Sequence, residues 1–195
     1  MARVGILGGS FDPIHRGHLR LAAELREKLA LDRVILVPAA QQPLKAGRVQ
    51  APAEDRLAMA RLAAAGEPWL EASDVEVRRA GPSYTIDTLA ALHAALGPGA
   101  ELFFLAGADV LADLERWYRL DDVLAAARFI VATRPGHDLA IPARLAGRLQ
   151  PIEIEALPIS ATRVRESLHA GGSAGDLIPP PVEAYIRQHG LYGAA

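Results

Sequence analysis

The chain has 195 residues, 51% of them apolar and 23% charged, with a formal net charge of -2. That length and composition suit a single domain with a sizeable core, and the near-neutral balance excludes the broadly basic surface of a nucleic-acid coat. Cysteine is absent, which excludes disulfides and thiolate metal sites, and no apolar run approaches membrane-spanning length.

Val4, Ile6 and Leu7 read as a short strand that stops at Gly8-Gly9, too early for a signal segment, so a cytoplasmic protein with no membrane partner is expected. Leu19, Ala22, Ala23, Leu25 and Leu29 then recur at helical spacing. Between strand and helix lies Gly8-Gly9-Ser10-Phe11-Asp12-Pro13-Ile14-His15-Arg16-Gly17-His18. Its glycines permit a sharp bend and close approach of a ligand, and the helix start offers unpaired N–H groups to a phosphate. The three-residue spacing of His15 and His18 puts both imidazoles on one face. The stretch is not a dinucleotide fingerprint, because residues 5–10 do not fit G-x-G-x-x-G and the second strand runs into Pro38 instead of an acidic residue. The chain also contains no G-x-x-x-x-G-K-[ST] phosphate loop.

Arg33-Val34-Ile35-Leu36-Val37 is a buried strand, followed by a polar loop over residues 38–51. Pro52 opens a helix with Leu57, Met59, Ala60 and Leu62 inward. Residues 71–77 read as a strand. After Gly81-Pro82-Ser83 a helix carries Ile86, Leu89, His93 and Leu96 on one stripe. Leu102-Phe103-Phe104-Leu105 is a strand ending at Gly107-Ala108-Asp109, and Leu111, Leu114 and Trp117 suggest a helix after it. Phe129-Ile130-Val131 and Ile152 with Ile154 mark the last strands. Ser160 or Thr162 caps a helix through Val164 and Leu168, and Pro179-Pro180-Pro181 introduces a final one with Val182, Tyr185 and Ile186. The alternation predicts an α/β fold, a Rossmann-like, mostly parallel sheet flanked by helices, with residues 1–195 as one domain and residues 160–195 as a helical C-terminal part packed on it.

A second cluster of chemical groups starts the helix near residue 160. Hydroxyls of Ser160 and Thr162 and free N–H groups there suit phosphate oxygens, and Arg165, three residues after Thr162, shares their face. A plain capped helix with exposed arginines is the other reading of this stretch alone.

The first stretch resembles the (T/S)-F-D-P-x-H-x-G-H signature of the nucleotidyltransferase superfamily, and Ile159-Ser160-Ala161-Thr162-Arg163-Val164-Arg165 resembles its Ile-Ser-x-Thr-x-x-Arg signature. Gly81-Pro82-Ser83-Tyr84-Thr85-Ile86-Asp87-Thr88-Leu89 is similar to the G-x-S-Y-T-x-D-T-L segment of the bacterial nicotinate-nucleotide adenylyltransferases. Gly107-Ala108-Asp109, Trp117, Arg134-Pro135-Gly136 and the ending Tyr185-Ile186 to Gly190-Leu191-Tyr192 follow that family's order. The chain departs from it at Gln42-Pro43-Leu44-Lys45, where the family often has Pro-Pro-His-Lys.

The resemblance implies adenylyl transfer from ATP to nicotinate mononucleotide, by in-line attack on the α-phosphate, giving the deamido dinucleotide and pyrophosphate in NAD biosynthesis. It implies that His15, His18 and Arg165 are catalytic and bind the triphosphate together with Ser160 and Thr162. Gly8, Ser10 and Phe11 would offer backbone contacts to ATP, and Gly9 to the acceptor. Asp109 is either a ribose acceptor or a helix cap. On the acceptor side it implies Lys45, Tyr84, Thr85, Tyr118 and Arg134, with Trp117 either stacked on the pyridine ring or held in the core. Mg²⁺ would come with ATP, through the phosphates and without a named protein ligand. His93, His137, His169 and His189 are left as structural or exposed. Alternative readings are a sibling enzyme using nicotinamide mononucleotide or another phosphorylated acceptor, and an ATP-binding sensor domain without turnover. Nucleic acid is not an expected partner, and the oligomeric state is open.

Overall fold

The structure, a computed structural model, describes residues 1–45, 49–136, 139–155 and 157–194, and of Lys45 only the backbone; His137 falls outside the described residues. Its strands are β1 (Ala2–Gly9), β2 (Arg33–Pro38), β3 (Leu70–Ala72), β4 (Ala100–Gly107), β5 (Arg128–Thr133) and β6 (Leu149–Glu153). They form one sheet in the order β3-β2-β1-β4-β5-β6, every neighbouring pair parallel. The helices are α1 (Arg16–Lys28), α2 (Ala53–Ala64), α3 (Thr85–Leu96), α4 (Leu120–Ala126), α5 (Ala161–His169) and α6 (Pro180–Gln188). The expected Rossmann-like α/β architecture is therefore present, and the sheet is parallel throughout.

Both faces of the sheet are buried, which is why its central strands are continuous apolar runs. Leu7, Leu36, Phe103, Leu105 and Ile130 pack with Ala22 and Leu25 of α1, Met59 and Ala60 of α2, Val164 and Leu168 of α5, and Val182 and Ile186 of α6. Val4, Ile6, Val37, Phe104, Phe129 and Val131 pack with Leu89 and Leu92 of α3 and Val123 of α4 on the other face. Because β2 and β4 lie on either side of β1, the chain reverses its direction of strand addition there. The loops leaving the C-terminal ends of β1 and β4 diverge at this point and open the crevice where such sheets take their ligands.

Three local expectations are corrected. The strand expected over residues 71–77 is only Leu70–Ala72, because the hydroxyl of Ser73 takes the N–H of Val75 and the chain turns. The helix expected through Leu111, Leu114 and Trp117 is two short 3-10 turns, Ala108–Ala112 and Leu114–Arg116. Trp117 leaves them with extended backbone, and left-handed Arg119 (φ 52°) starts α4 afresh. On α3 the buried stripe is Thr88, Leu89 and Leu92, so His93 faces outward. Among the described residues no helix is long and apolar enough to cross a membrane.

Candidate active site

The cleft at the switch point holds about 610 Å³, a size suited to a small ligand. Gly8, Gly9 and Ser10 from the end of β1 and His18 from α1 line one part of it. Asp109 from the turn after β4, Trp117 and Tyr118 from the loop before α4, and Tyr84 and Thr85 from the start of α3 line the rest.

The loop between β1 and α1 is held at several points. Phe11 is buried in left-handed backbone (φ 47°), and its ring meets that of His18 edge-on at 5.0 Å between centroids. His15 precedes α1 in extended conformation, and its N–H donates to Nδ1 of His18 at 3.2 Å. The two imidazoles stack with centroids 3.7 Å apart. Gly17 leaves room for this stack, because a Cβ on it would lie 3.0 Å from Nδ1 of His15 and press on that ring. An acceptor at Nδ1 fixes the neutral His18 ring with its proton on Nε2. Burial lowers the His15 pKa to about 4. Burial first, and repulsion from His15 second, hold His18 well below the usual histidine range. Both rings are therefore neutral at pH 7 in the free protein.

Two buried groups anchor this loop to its neighbours. Arg56, 2% exposed, donates from Nη1 to the carbonyls of Ser10 (2.7 Å) and Ala39 (2.6 Å), from Nη2 to Ala40 (3.3 Å) and from Nε to Ala51 (3.1 Å). It ties the loop after β1 to the loop after β2. The carboxylate of Asp12 accepts from the N–H groups of Gln50 (2.8 Å) and Ala51 (3.0 Å) and from the hydroxyl of Tyr192 (2.8 Å).

The second cluster meets the histidine loop from α5. Ser160 caps α5, its Oγ accepting from the N–H of Arg163 at 3.2 Å. Arg165 donates from Nη1 to the carbonyl of Asp12 at 2.7 Å and from Nη2 to Oγ1 of Thr162 at 3.3 Å. So Thr162 and Arg165 do share a face, and Arg165 is fastened to the loop bearing the histidines. Ser160, Thr162 and Arg165 lie outside the cleft lining but adjoin it through that loop.

On the acceptor side, Trp117 meets Phe104 and Phe129 edge-on at 5.6 and 5.9 Å while still lining the cleft, so it is both a core-anchored ring and an available one. Tyr118, 54% exposed, lies 4.5 Å from Tyr84 between ring centroids. Thr85 opens α3, where no side chain caps the first turn, so its N–H has no intrahelical acceptor. Asp109 lines the cleft, and no side chain caps the turn it belongs to, which favours the ligand-facing reading over the helix cap. Leu44, at the departure from the family pattern, also lines the cleft. Arg134 is exposed after β5 and does not line it.

Sequence reasoning missed Arg56, Glu76 and the role of Asp12. Glu76 lines the cleft and is 7% exposed, and its Oε1 accepts from the hydroxyl of Thr88 at 2.6 Å. Ser83 bonds to Glu76 as well, and its Oγ accepts from the N–H groups of Ala40 and Gln41. Burial raises the Glu76 pKa against the lowering effect of Thr88 and Ser83. Only the apolar surroundings of residue 56 on its helix hint at a buried arginine there.

A parallel sheet with a His-x-Gly-His turn at its switch point is the arrangement of a nucleotidyltransferase, and residues 6–167 match the family described as Cytidylyltransferase-like. A protein from Roseiflexus sp. (strain RS-1), named "Probable nicotinate-nucleotide adenylyltransferase", is 48% identical over 98% of this chain and 98% of its own. A relative of the same name from Solibacter usitatus (strain Ellin6076) is 47% identical over 97% of this chain and 99% of its own. The chain belongs to the nicotinate-nucleotide adenylyltransferase family. In fold it is also similar to the Plasmodium falciparum nicotinic acid mononucleotide adenylyltransferase complexed with NaAD, at a TM-score of 0.79 and 20% identity, covering 100% of this chain and 99% of that one.

Proposed function

We propose that the protein transfers the adenylyl group of ATP to nicotinate mononucleotide, giving nicotinate adenine dinucleotide and pyrophosphate, as a step of NAD biosynthesis in the cytoplasm. The observation that carries this reading is the His15–His18 stack at the β1/β4 switch point, in which His15 is buried behind His18 and His18 lines a cleft shared with Trp117, Tyr84 and Tyr118. The acceptor's phosphate is already ionised, so no general base is needed. Its oxygen forms a bond to the α-phosphorus of ATP, and the bond from that phosphorus to the bridging oxygen of the departing pyrophosphate breaks. Catalysis then consists of alignment and charge stabilisation.

In this reading Nε2–H of His18 donates to phosphate oxygen, and the positive end of α1 adds to its field. His15 holds His18 in that tautomer. Arg165, with Ser160 and Thr162, holds the triphosphate from α5, and the family resemblance assigns Lys45, whose side chain lies outside the described atoms, to phosphate as well. Gly8, Ser10 and Phe11 present backbone to ATP, Asp109 accepts from a ribose, and Gly9, Tyr84, Thr85, Trp117 and Tyr118 hold the acceptor. Arg134 reaches the acceptor only if its loop folds inward. Among the described residues no group of three or more His, Asp or Glu side chains is placed to hold a metal. A Mg²⁺ ion brought with ATP would be carried on triphosphate oxygens and water, where it would neutralise the leaving pyrophosphate.

The test is pyrophosphate release from ATP with a panel of phosphorylated acceptors. Turnover with nicotinate mononucleotide well above that with nicotinamide mononucleotide and pantetheine phosphate is the expected result. Tight ATP binding with no release for any acceptor would make the chain a nucleotide sensor instead.

A further inference from the structure

We propose that Tyr192 is a positioning residue for adenylyl transfer, its hydroxyl holding the Asp12 carboxylate so that the loop bearing His15 and His18 stays set against Arg165. This rests on the adenylyltransferase reading of the site.

The two residues are 180 positions apart, and the bond is 2.8 Å long. Asp12 is 3% exposed and meets three other segments of the chain. Its carboxylate takes the N–H groups of Gln50 and Ala51 just before α2 and the Tyr192 hydroxyl from the C-terminal tail. Its carbonyl takes Nη1 of Arg165, whose guanidinium also stands 3.9 Å from Oδ2 of Asp12. Asp12 directly follows left-handed Phe11, which packs on His18, and lies three residues before His15. A shift of Asp12 therefore moves the histidine loop and the arginine relative to each other.

The tail is built to deliver the hydroxyl. Tyr192 itself has left-handed backbone (φ 58°, ψ 20°), a conformation that disfavours a bulky residue and that its surroundings must hold. Gly190 and Gly193 on either side are also left-handed, at φ 59° and 73°, and Leu191 packs on the core. Burial, with the Asp12 charge in second place, drives the Tyr192 pKa far above the usual phenol range, so the hydroxyl remains a donor at any working pH. Tyr192, Asp12 and Arg165 do not themselves line the cleft, where Trp117, Tyr84 and Tyr118 stand. The role should therefore appear in turnover and not in acceptor binding.

The experiment compares Tyr192→Phe with Leu191→Ala, which thins the packing of the same tail and keeps the hydroxyl. Melting, steady-state pyrophosphate release and amide hydrogen exchange over residues 11–18 of the ligand-free protein are measured on each. Tyr192→Phe is expected to lower kcat about tenfold, because small misplacement of catalytic groups is costly, with acceptor KM unchanged and exchange over residues 11–18 faster. Leu191→Ala, at an equal or larger loss of melting temperature, should keep its kcat. Adding Tyr192→Phe to Asp12→Ala, which leaves the hydroxyl no side-chain acceptor at residue 12, should cost nothing further if the hydroxyl acts through Asp12. The proposal is overturned by a wild-type kcat in Tyr192→Phe, by an equal kcat loss in Leu191→Ala, or by losses that multiply in the double variant. An inactive wild-type protein would count against the adenylyltransferase reading alone. Exchange needs no substrate, and unchanged exchange over residues 11–18 in Tyr192→Phe would overturn the positioning role whatever the reaction.

Discussion

The backbone N–H of His15 donates to Nδ1 of His18 at 3.2 Å, while the two rings stack 3.7 Å apart. One histidine thus sets the tautomer of the other, and the proton left on Nε2 of His18 becomes the donor beside the cleft. His18→Ala removes that donor and leaves the loop's other anchors, Arg56 and Asp12, in place. It should fold, with turnover lowered by roughly 10²- to 10³-fold, as for loss of one transition-state donor. Near-normal pyrophosphate release from the folded variant would remove His18 from the mechanism.

The same pair sets a pH dependence. Burial holds His15 at about 4 and His18 well below the usual range, so the folded protein binds fewer protons than the unfolded chain between about pH 4 and 6.5. Stability is therefore complete above pH 6.5 and falls as the pH drops toward 4. At about 1.4 kcal/mol per pH unit, His15 alone accounts for roughly 3 kcal/mol across that window. A bound triphosphate reverses the preference, because its negative charge favours the imidazolium. ATP binding at pH 5.5 should accordingly take up protons, read by calorimetry in two buffers of different ionisation enthalpy. Equal heats in the two buffers would show that neither ring gains a proton on binding.

Arg165→Ala should raise the KM for ATP far more than that for the acceptor, since its guanidinium bonds Thr162 and the Asp12 carbonyl of the histidine loop and does not line the cleft with Trp117 and Tyr118. Arg165→Lys should recover only part, because an ammonium cannot hold Asp12 and Thr162 and still offer a fork to phosphate. If acceptor affinity collapsed while KM for ATP stayed the same, Arg165 would belong to the other half of the site.

Much of the fold is legible in the sequence because strands buried on both faces are unbroken apolar runs, as in residues 34–37 and 102–106. The glycine turn with His15 and His18, and the Ser160–Arg165 helix start, are legible because their parts are adjacent in the chain. The stretch from Ala108 to Arg119 misleads. Leu111, Leu114 and Trp117 keep helical spacing, but the backbone turns left-handed at Arg119 and the helix begins again after it. Arg56 and Tyr192 are not legible as anchors because their partners come from distant loops, and Glu76 because its partners Ser83 and Thr88 lie across a turn from it. Arg56 in particular sits among apolar helix positions, yet every acceptor assigned to it is a backbone carbonyl, which no side-chain pairing in the sequence would betray.

Arg56→Met tests that last arrangement. The substitution keeps the bulk and strips the donors from the carbonyls of Ser10, Ala39, Ala40 and Ala51. Leaving several buried acceptors short of partners should destabilise the protein by about 3 kcal/mol. It should also loosen both loops at the cleft, so that KM rises for ATP and acceptor together, in contrast to Arg165→Ala. A variant as stable as the parent would mean that the loops hold without the guanidinium.

Acid and amide acceptors should be told apart at the start of α3. Nicotinate and nicotinamide mononucleotides differ only in a carboxylate against a carboxamide, and the amide alone carries N–H donors. Thr85 at the uncapped start of α3, Trp117 and Tyr118 all line the cleft. The family resemblance implies N–H donors at Thr85 and Tyr118 around that planar group, and two such donors suit two acceptor oxygens. An amide must turn its NH₂ toward one of them and leave that donor unpaired, at a cost of about 1–3 kcal/mol, and charge-assisted bonds to the acid widen the gap. The acid should therefore be preferred by roughly 10²-fold or more in kcat/KM, since about 1.4 kcal/mol is tenfold. Glu76 lines the same cleft, but it is engaged by Thr88 and Ser83, and burial raises its pKa, so it resists a substrate carboxylate less than an exposed glutamate would. Trp117→Ala should weaken both acceptors by about 1–3 kcal/mol, if stacking on the pyridine resembles base–aromatic stacking, and leave the KM for ATP nearly unchanged. Equal kcat/KM for the two mononucleotides with the pure enzyme would defeat the acid-specific reading and leave an adenylyltransferase of dual specificity.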